Sequence, residues 1–295
     1  MKYIEFKKNR KFDEVLEDGF KFIKYNFISL LKSIWKLNMI YIVIYVLILF
    51  AYTYTTFGIY SNLFQNIGKN IWLEDNNPST QIWQIVFIFY SAYFSFRIYA
   101  SIYGYIYSYI KNKGIIDEDD ILEVMNHKFW GYIGLFLVIG IMLILGFLFL
   151  LIPGFWLLVP ISLMIPAYFM DAQTLSEAID KGFRYFKHHW WYSFGVLLVT
   201  FFVLFFINYL FTIPTVIYTI IKATTLLKDS DPTALGEITR DPILIFLTFL
   251  SQLLKYLLTI IQLVILAVLY YTLKEKQTAE GSLEKLSQFK TNRED

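Results

Sequence analysis

Residues 129–170 run for 42 positions without one charged side chain. A helix needs about 20 apolar residues to cross a hydrocarbon core roughly 30 Å thick, so this run is long enough to cross twice. Pro153-Gly154 near its centre predicts a tight turn between span 3 (129–152) and span 4 (155–170). Four further apolar stretches are long enough to cross: 37–59 as span 1, 82–110 as span 2, 190–221 as span 5 and 242–273 as span 6. Lipid offers the backbone no hydrogen-bond partner, so each must be a helix. With 57% hydrophobic residues, two soluble domains are excluded. The expected fold is all-α: one polytopic membrane domain over residues 1–295, with six transmembrane helices. Pro160 and Pro166 break the hydrogen-bond ladder of span 4, which predicts a kinked helix sheltered among its neighbours.

The charges fix an orientation. Segment 1–36, connector 111–128, segment 171–189 and the tail 274–295 together carry twenty Lys or Arg, against four on the other side (Lys69, Lys222, Lys228, Arg240). Lys- and Arg-rich short loops stay in the cytoplasm. Both termini are therefore expected to be cytoplasmic, in the inner membrane of a bacterium. Segment 1–36 has no early apolar core and is not a signal peptide, so span 1 is expected to act as an uncleaved membrane signal. The net charge of +2 gives no case for nucleic acid, and the absence of cysteine excludes disulfides and thiolate metal sites.

Two segments repeat at an offset of 163 residues. FDEVLEDGFKFIKYNFI (12–28) overlies LSEAIDKGFRYFKHHWW (175–191), matching Glu14 with Glu177, Gly19 with Gly182 and Lys24 with Lys187. Each copy reads as an amphipathic helix (10–35 and 174–189) that leads into an apolar run. In the first, Phe12, Val15, Leu16, Gly19, Phe22 and Ile23 share one face at helical spacing. Such helices fit the membrane interface, where lysines meet anionic head groups. Four spans separate the copies, so both lie on the cytoplasmic side and the duplication is parallel. Whether spans 3 and 4 form a third copy is open. A glycine recurring on the apolar face, at about 1 kcal/mol relative to alanine, predicts close backbone contact with a spanning helix.

Few residues suggest chemistry. Arg97 and Lys255 each lie about 15 residues into their spans, where a charge costs at least ~2.5 kcal/mol. One reading is a pocket for an anionic group such as a lipid phosphate. The other is satisfaction by backbone carbonyls and tyrosine hydroxyls, or snorkelling to the interface. The acidic run Asp117 to Asp120 reads as a solvated connector. His188 and His189 adjoin Trp190 and Trp191 and make a poor metal clamp, because adjacent residues do not share a helix face. Trp130, Trp190 and Trp191 read as interfacial anchors. No phosphate loop, catalytic triad or metal helix is present, so no catalytic residue, metal or cofactor is expected. A membrane enzyme would require His188, Asp171 and Glu177 to gather at the interface.

Pro166, Tyr168-Phe169-Met170, Leu175-Ser176-Glu177-Ala178-Ile179, Gly182-Phe183 and Lys187 ahead of Trp190-Trp191 resemble a broad group of uncharacterised bacterial six-span membrane proteins. The membrane domain associated with glycerophosphodiester phosphodiesterases is distantly similar. The resemblance lies mainly in residues 160–200 and implies an integral membrane protein in a multi-protein setting. No stretch reads as a soluble phosphodiesterase domain, so that activity is not expected. The expected function is a non-enzymatic structural or assembly subunit that binds the bilayer, anionic phospholipid and other membrane proteins. The alternative is a transporter or lipid-handling protein that uses Arg97 and Lys255 for an anionic substrate.

Overall fold

The computed structural model describes residues 3–65, 78–149, 151–226, 234–280 and 282–283. The Asn76-Asn77 loop, Lys69, Lys228 and most of the charged tail lie outside the described residues. The elements are α1 (Phe12–Gln65), α2 (Pro78–Lys111), α3 (Glu118–His127), α4 (Phe129–Phe149), α5 (Leu151–Met170), α6 (Leu175–Phe186), α7 (Trp190–Leu226), α8 (Ala234–Thr239) and α9 (Pro242–Thr278). No strand occurs among the described residues. Six helices are long and apolar enough to cross a membrane, and the chain is a polytopic all-α membrane protein.

The chain divides into two compact units. Unit 1 comprises Met1–Leu37, Phe96–Val203 and Ile260–Asp295; unit 2 comprises Asn38–Ser95 and Leu204–Thr259. In unit 1 an aromatic core forms around Phe22, whose ring meets Tyr109 edge-on at 5.0 Å and Phe6 at 5.2 Å. Buried rings in such edge-to-face pairs add about 0.5–1.5 kcal/mol each beyond their area. In unit 2, Tyr45 stacks on Phe94 at 4.2 Å and shares a hydroxyl hydrogen bond with Tyr256.

Three local differences from the sequence expectation have physical causes. The first amphipathic segment and span 1 are one helix, α1, of 54 residues, about 80 Å long at 1.5 Å per residue. Residues 20–57 contain neither Gly nor Pro, so nothing stops the helix between them. In the second segment α6 ends at Phe186, the His189 amide donates to the Phe186 carbonyl (2.8 Å), and α7 starts afresh at Trp190. The acidic connector is a helix rather than a solvated loop. Asp117 caps α3, and Asp120 is buried, accepting from Lys111 (2.6 Å), Asn112 (2.8 Å) and Ser108 (3.0 Å). Finally, Pro153 and Gly154 lie inside the first turn of α5, where proline is tolerated, and not in the turn itself. Gly154 lets the hairpin close, because a Cβ there would stand 2.5 Å from the Phe147 ring.

Pro160 lies inside α5 and cannot donate to the carbonyl of Trp156. The Trp190 indole does so instead at 3.2 Å, so this ring is a structural link as well as an aromatic at the head of α7. Trp130 and Trp191 are 81% and 79% exposed.

Both repeated glycines face a neighbouring helix. A Cβ on Gly19 would stand 3.0 Å from Ile265 Cγ1 of α9, and one on Gly182 would stand 2.5 Å from Met164 Cγ and 3.0 Å from the Pro160 carbonyl of α5. Gly182→Ala is expected to destabilise by about 1–3 kcal/mol through overpacking. Gly140→Ala, with nothing within 4 Å of its added Cβ, is expected to stabilise by roughly 0.5–1 kcal/mol. Thermal unfolding in one detergent, with both variants side by side, checks the opposite signs.

Candidate functional site

Asp171, the first charged residue after the uncharged run, sits where α5 ends. Its carboxylate accepts from the Tyr270 hydroxyl (2.6 Å) and Lys274 Nζ (2.9 Å), both on α9, and pairs with Lys181 Nζ of α6 (3.0 Å). Lys181 also pairs with Glu177 (2.7 Å), and Lys274 with Glu280 (3.0 Å). Burial pushes the Asp171 carboxyl up, but the bonds from Tyr270 and Lys274, the Lys274 charge and the Lys181 bond outweigh it, so it titrates below the ordinary range. Gln277 Nε2 donates to the Arg184 carbonyl (2.9 Å), a second tie between α9 and α6. Asp171 and Glu177 are thus brought together through Lys181. His188 is exposed and stands outside this network.

A cleft of about 520 Å³ opens beside this network, lined among others by Tyr107, Glu123, His127, Lys128, Asp171 and Gln173. Lys128, between α3 and α4, donates to the Ala172 carbonyl and lies 5.0 Å from the Tyr168 ring centroid. Burial, reinforced by the Lys181 charge and opposed by Glu177 and Glu123, pulls its ammonium below the ordinary lysine value. Among the described residues, no group of three or more His, Cys, Asp or Glu is placed to hold a metal ion.

The remaining residues singled out in the sequence spread widely. Glu14 Oε2 accepts from the Lys11 amide (3.0 Å), and Glu177 Oε2 from the Gln173 amide (2.8 Å), so each closes the start of its helix. Lys24 and Lys187 are exposed. Arg97 is half-buried and donates to the Leu37 carbonyl at 2.8 Å. It stands where the exposed apolar side of α2 (Ile82, Ile85, Ile88, Phe89) has given way to a buried stretch that includes Ile102, Tyr103 and Ile106. Lys255 belongs to unit 2 and is exposed.

Also in unit 2, Asp241 caps α9 by accepting from the Ile243 amide (2.9 Å), and it binds Lys222 Nζ and the Tyr218 hydroxyl at 2.8 Å each. Burial raises its carboxyl, the Lys222, Tyr218 and Ile243 bonds outweigh that, and it titrates at about 2. A depressed folded value contributes stability above the ordinary carboxylate range of about 3.9, lost only as pH falls through the folded value. Carbon-13 titration of Asp241 is therefore expected to show no inflection between pH 5 and 3. An inflection near the ordinary value would mean that the Lys222 and Tyr218 bonds are absent.

Sequence reasoning missed Lys181, Lys274, Tyr270, Lys128 and the buried Arg10. Their signal is weak: lysines in a basic rim are the common case, and only their partners distinguish them. Compared with family models, curated proteins and solved structures, the chain matches none.

Proposed function

We propose that the chain is a non-enzymatic structural or assembly subunit of a bacterial inner membrane, with both termini in the cytoplasm. The observation that carries this reading is the closed ion-pair network around Asp171. Its acids and bases spend themselves on one another and fasten α6 to the ends of α5 and α9. A general acid or base needs a proton-transfer partner within reach and a matched pKa, whereas a carboxylate held by two lysines and a tyrosine serves as a joint. The orientation rests on the twenty-to-four asymmetry of Lys and Arg. The parallel duplication is supported by Glu14 and Glu177 closing their helix starts, and by matched burial of Val15 with Ala178 and Phe22 with Tyr185.

The alternative of transport or lipid handling through Arg97 and Lys255 is favoured at Lys255 alone, since Arg97 serves the Leu37 carbonyl. Native mass spectrometry of gently extracted protein, beside an Arg97→Leu/Lys255→Leu double variant, tests the two. A stoichiometric protein partner retained by both forms supports the subunit reading. An anion or anionic lipid held by the wild type and lost from the double variant, with no protein partner, overturns it in favour of the alternative.

A further inference from the structure

Unit 2 holds a cation that no described residue neutralises. Among the described residues no oxygen bonds or pairs with the Lys255 ammonium; of the described acids of unit 2, Glu237 lies on α8 and Asp241 just before α9, about 20 Å along the helix from Lys255 and bound to Lys222. The position of Lys255 around α9 follows from the contacts on either side. Ser251 donates to the Phe211 carbonyl of α7 (2.8 Å) and meets Thr215 (3.3 Å), while Phe249 and Tyr256 meet Phe50 and Tyr45 of α1. Counting about 100° per residue from Ser251, Phe249 and Tyr256 fall at about 140–160°. Lys255, Thr248, Thr259 and Gln252 fall between these directions, at about 40–100°. The exposed apolar residues Ile243, Phe246, Leu250 and Leu257 occupy the opposite side. Lys255 therefore does not point with the apolar face. It belongs to a polar seam, spaced 248, 252, 255 and 259, that looks between α7 and α1, and it is exposed there.

A second observation marks the same depth. The α7–α9 contacts (Phe211 and Thr215 with Ser251, Tyr218 and Lys222 with Asp241) make these helices antiparallel. Asn208, about one turn before Phe211, is thus level with Lys255, about one turn after Ser251. Its Oδ1 is buried without a hydrogen-bond partner, and so is Oγ1 of Thr248 on the seam. Buried polar atoms in native proteins are normally paired. Asn208 is level with the ammonium and Thr248 shares its seam; Thr248 Oγ1 can donate to an anion as it stands, and the Asn208 carboxamide, whose O and N exchange places on a flip, presents its N–H groups once turned over.

We infer that this seam binds one phosphate group, with Lys255 supplying the charge and Thr248, Gln252 and Asn208 the hydrogen bonds. An ammonium, a hydroxyl and carboxamide N–H groups are donors for an oxyanion, and no described carboxylate competes. The phosphate belongs either to a phospholipid head group or to a free anion. The inference goes beyond the subunit reading, whose readout is a retained protein partner and is untouched by the outcome here.

The test is native mass spectrometry of the purified full chain, titrated in parallel with phosphatidylglycerol, with phosphatidylcholine of the same acyl chains and with inorganic phosphate. The wild type is expected to retain one phosphatidylglycerol, or one phosphate, in preference to phosphatidylcholine. Lys255→Gln is expected to weaken that retention at least tenfold and Lys255→Arg to preserve it, each with wild-type thermal unfolding. Asn208→Leu, on the other helix, is expected to weaken it as well. Displacement of the lipid by inorganic phosphate assigns the site to a free anion; lipid retained against phosphate assigns it to a head group. Equal retention by wild type and Lys255→Gln, equal binding of the two lipids with no binding of inorganic phosphate, or no binding of either anion overturns the inference.

Discussion

Asp171→Ala is expected to destabilise the protein by about 3 kcal/mol, toward the lower part of the range for removing one partner of a buried ion pair. The carboxylate side chain is 18% exposed, while Lys181 and Lys274 are 13% and 12% exposed, so the loss leaves two poorly hydrated ammoniums facing each other across the vacated space, each with only its more exposed partner, Glu177 or Glu280. The Tyr270 hydroxyl loses its acceptor at the same time. Asp171→Asn keeps the volume and part of the hydrogen bonding but not the charge, and is expected to cost less than alanine. Lys181→Met/Lys274→Met in the Asp171→Ala background removes the stranded cations and is expected to recover part of the loss. Thermal unfolding of the four forms in one detergent reads this order. A triple variant no more stable than Asp171→Ala would mean that stranded charge is not the cause.

The contrast between Asp171 and the spans around it shows how much of this protein was legible in its sequence. Spans are set by a local property, the length of an apolar run, and all six are seen as helices from sequence alone. Boundaries at polar segments were less legible because tertiary partners decide them. The acidic run at Asp117 to Asp120 reads as a solvated connector until Lys111, Ser108 and Asn112 are found around Asp120. Arg97 reads as a midspan charge because α2 is apolar on both sides of it; only burial of Ile102, Tyr103 and Ile106 shows that the later half of the helix is enclosed by protein. Lys255 has the same sequence signature as Arg97 and a different setting. Residue type at a given spacing cannot separate a cation that holds a backbone carbonyl from one left open.

Arg10→Leu is expected to have an effect as large, and nothing in the sequence marks that residue among the nine Lys or Arg of segment 1–36. Its side chain is completely buried. Nε donates to Asp18 (2.8 Å), Nη1 to the carbonyls of Phe6 (2.8 Å) and Lys8 (3.2 Å) and to Thr272 Oγ1 (3.4 Å), and Nη2 to the Glu5 carbonyl. One guanidinium thus fastens the stretch before α1 to the first turns of α1 and to α9. Leucine fills much of the volume but leaves Asp18 without its guanidinium partner and removes the guanidinium donor from the carbonyls of Glu5, Phe6 and Lys8, the Phe6 carbonyl keeping the Lys8 amide (2.8 Å), at about 3–5 kcal/mol for the ion pair and its bonds. Lysine keeps the charge but is a compact point donor that cannot reproduce the planar fork, so Arg10→Lys is expected to fall between wild type and Arg10→Leu. Because the bonded carbonyls lie in residues 5–8, the loss is expected to show first as protease cleavage ahead of α1, at a temperature where the wild type resists it. Cleavage in Arg10→Leu no faster than in wild type, with unchanged thermal unfolding, would mean that the stretch is held by the Phe6, Phe22 and Tyr109 rings alone.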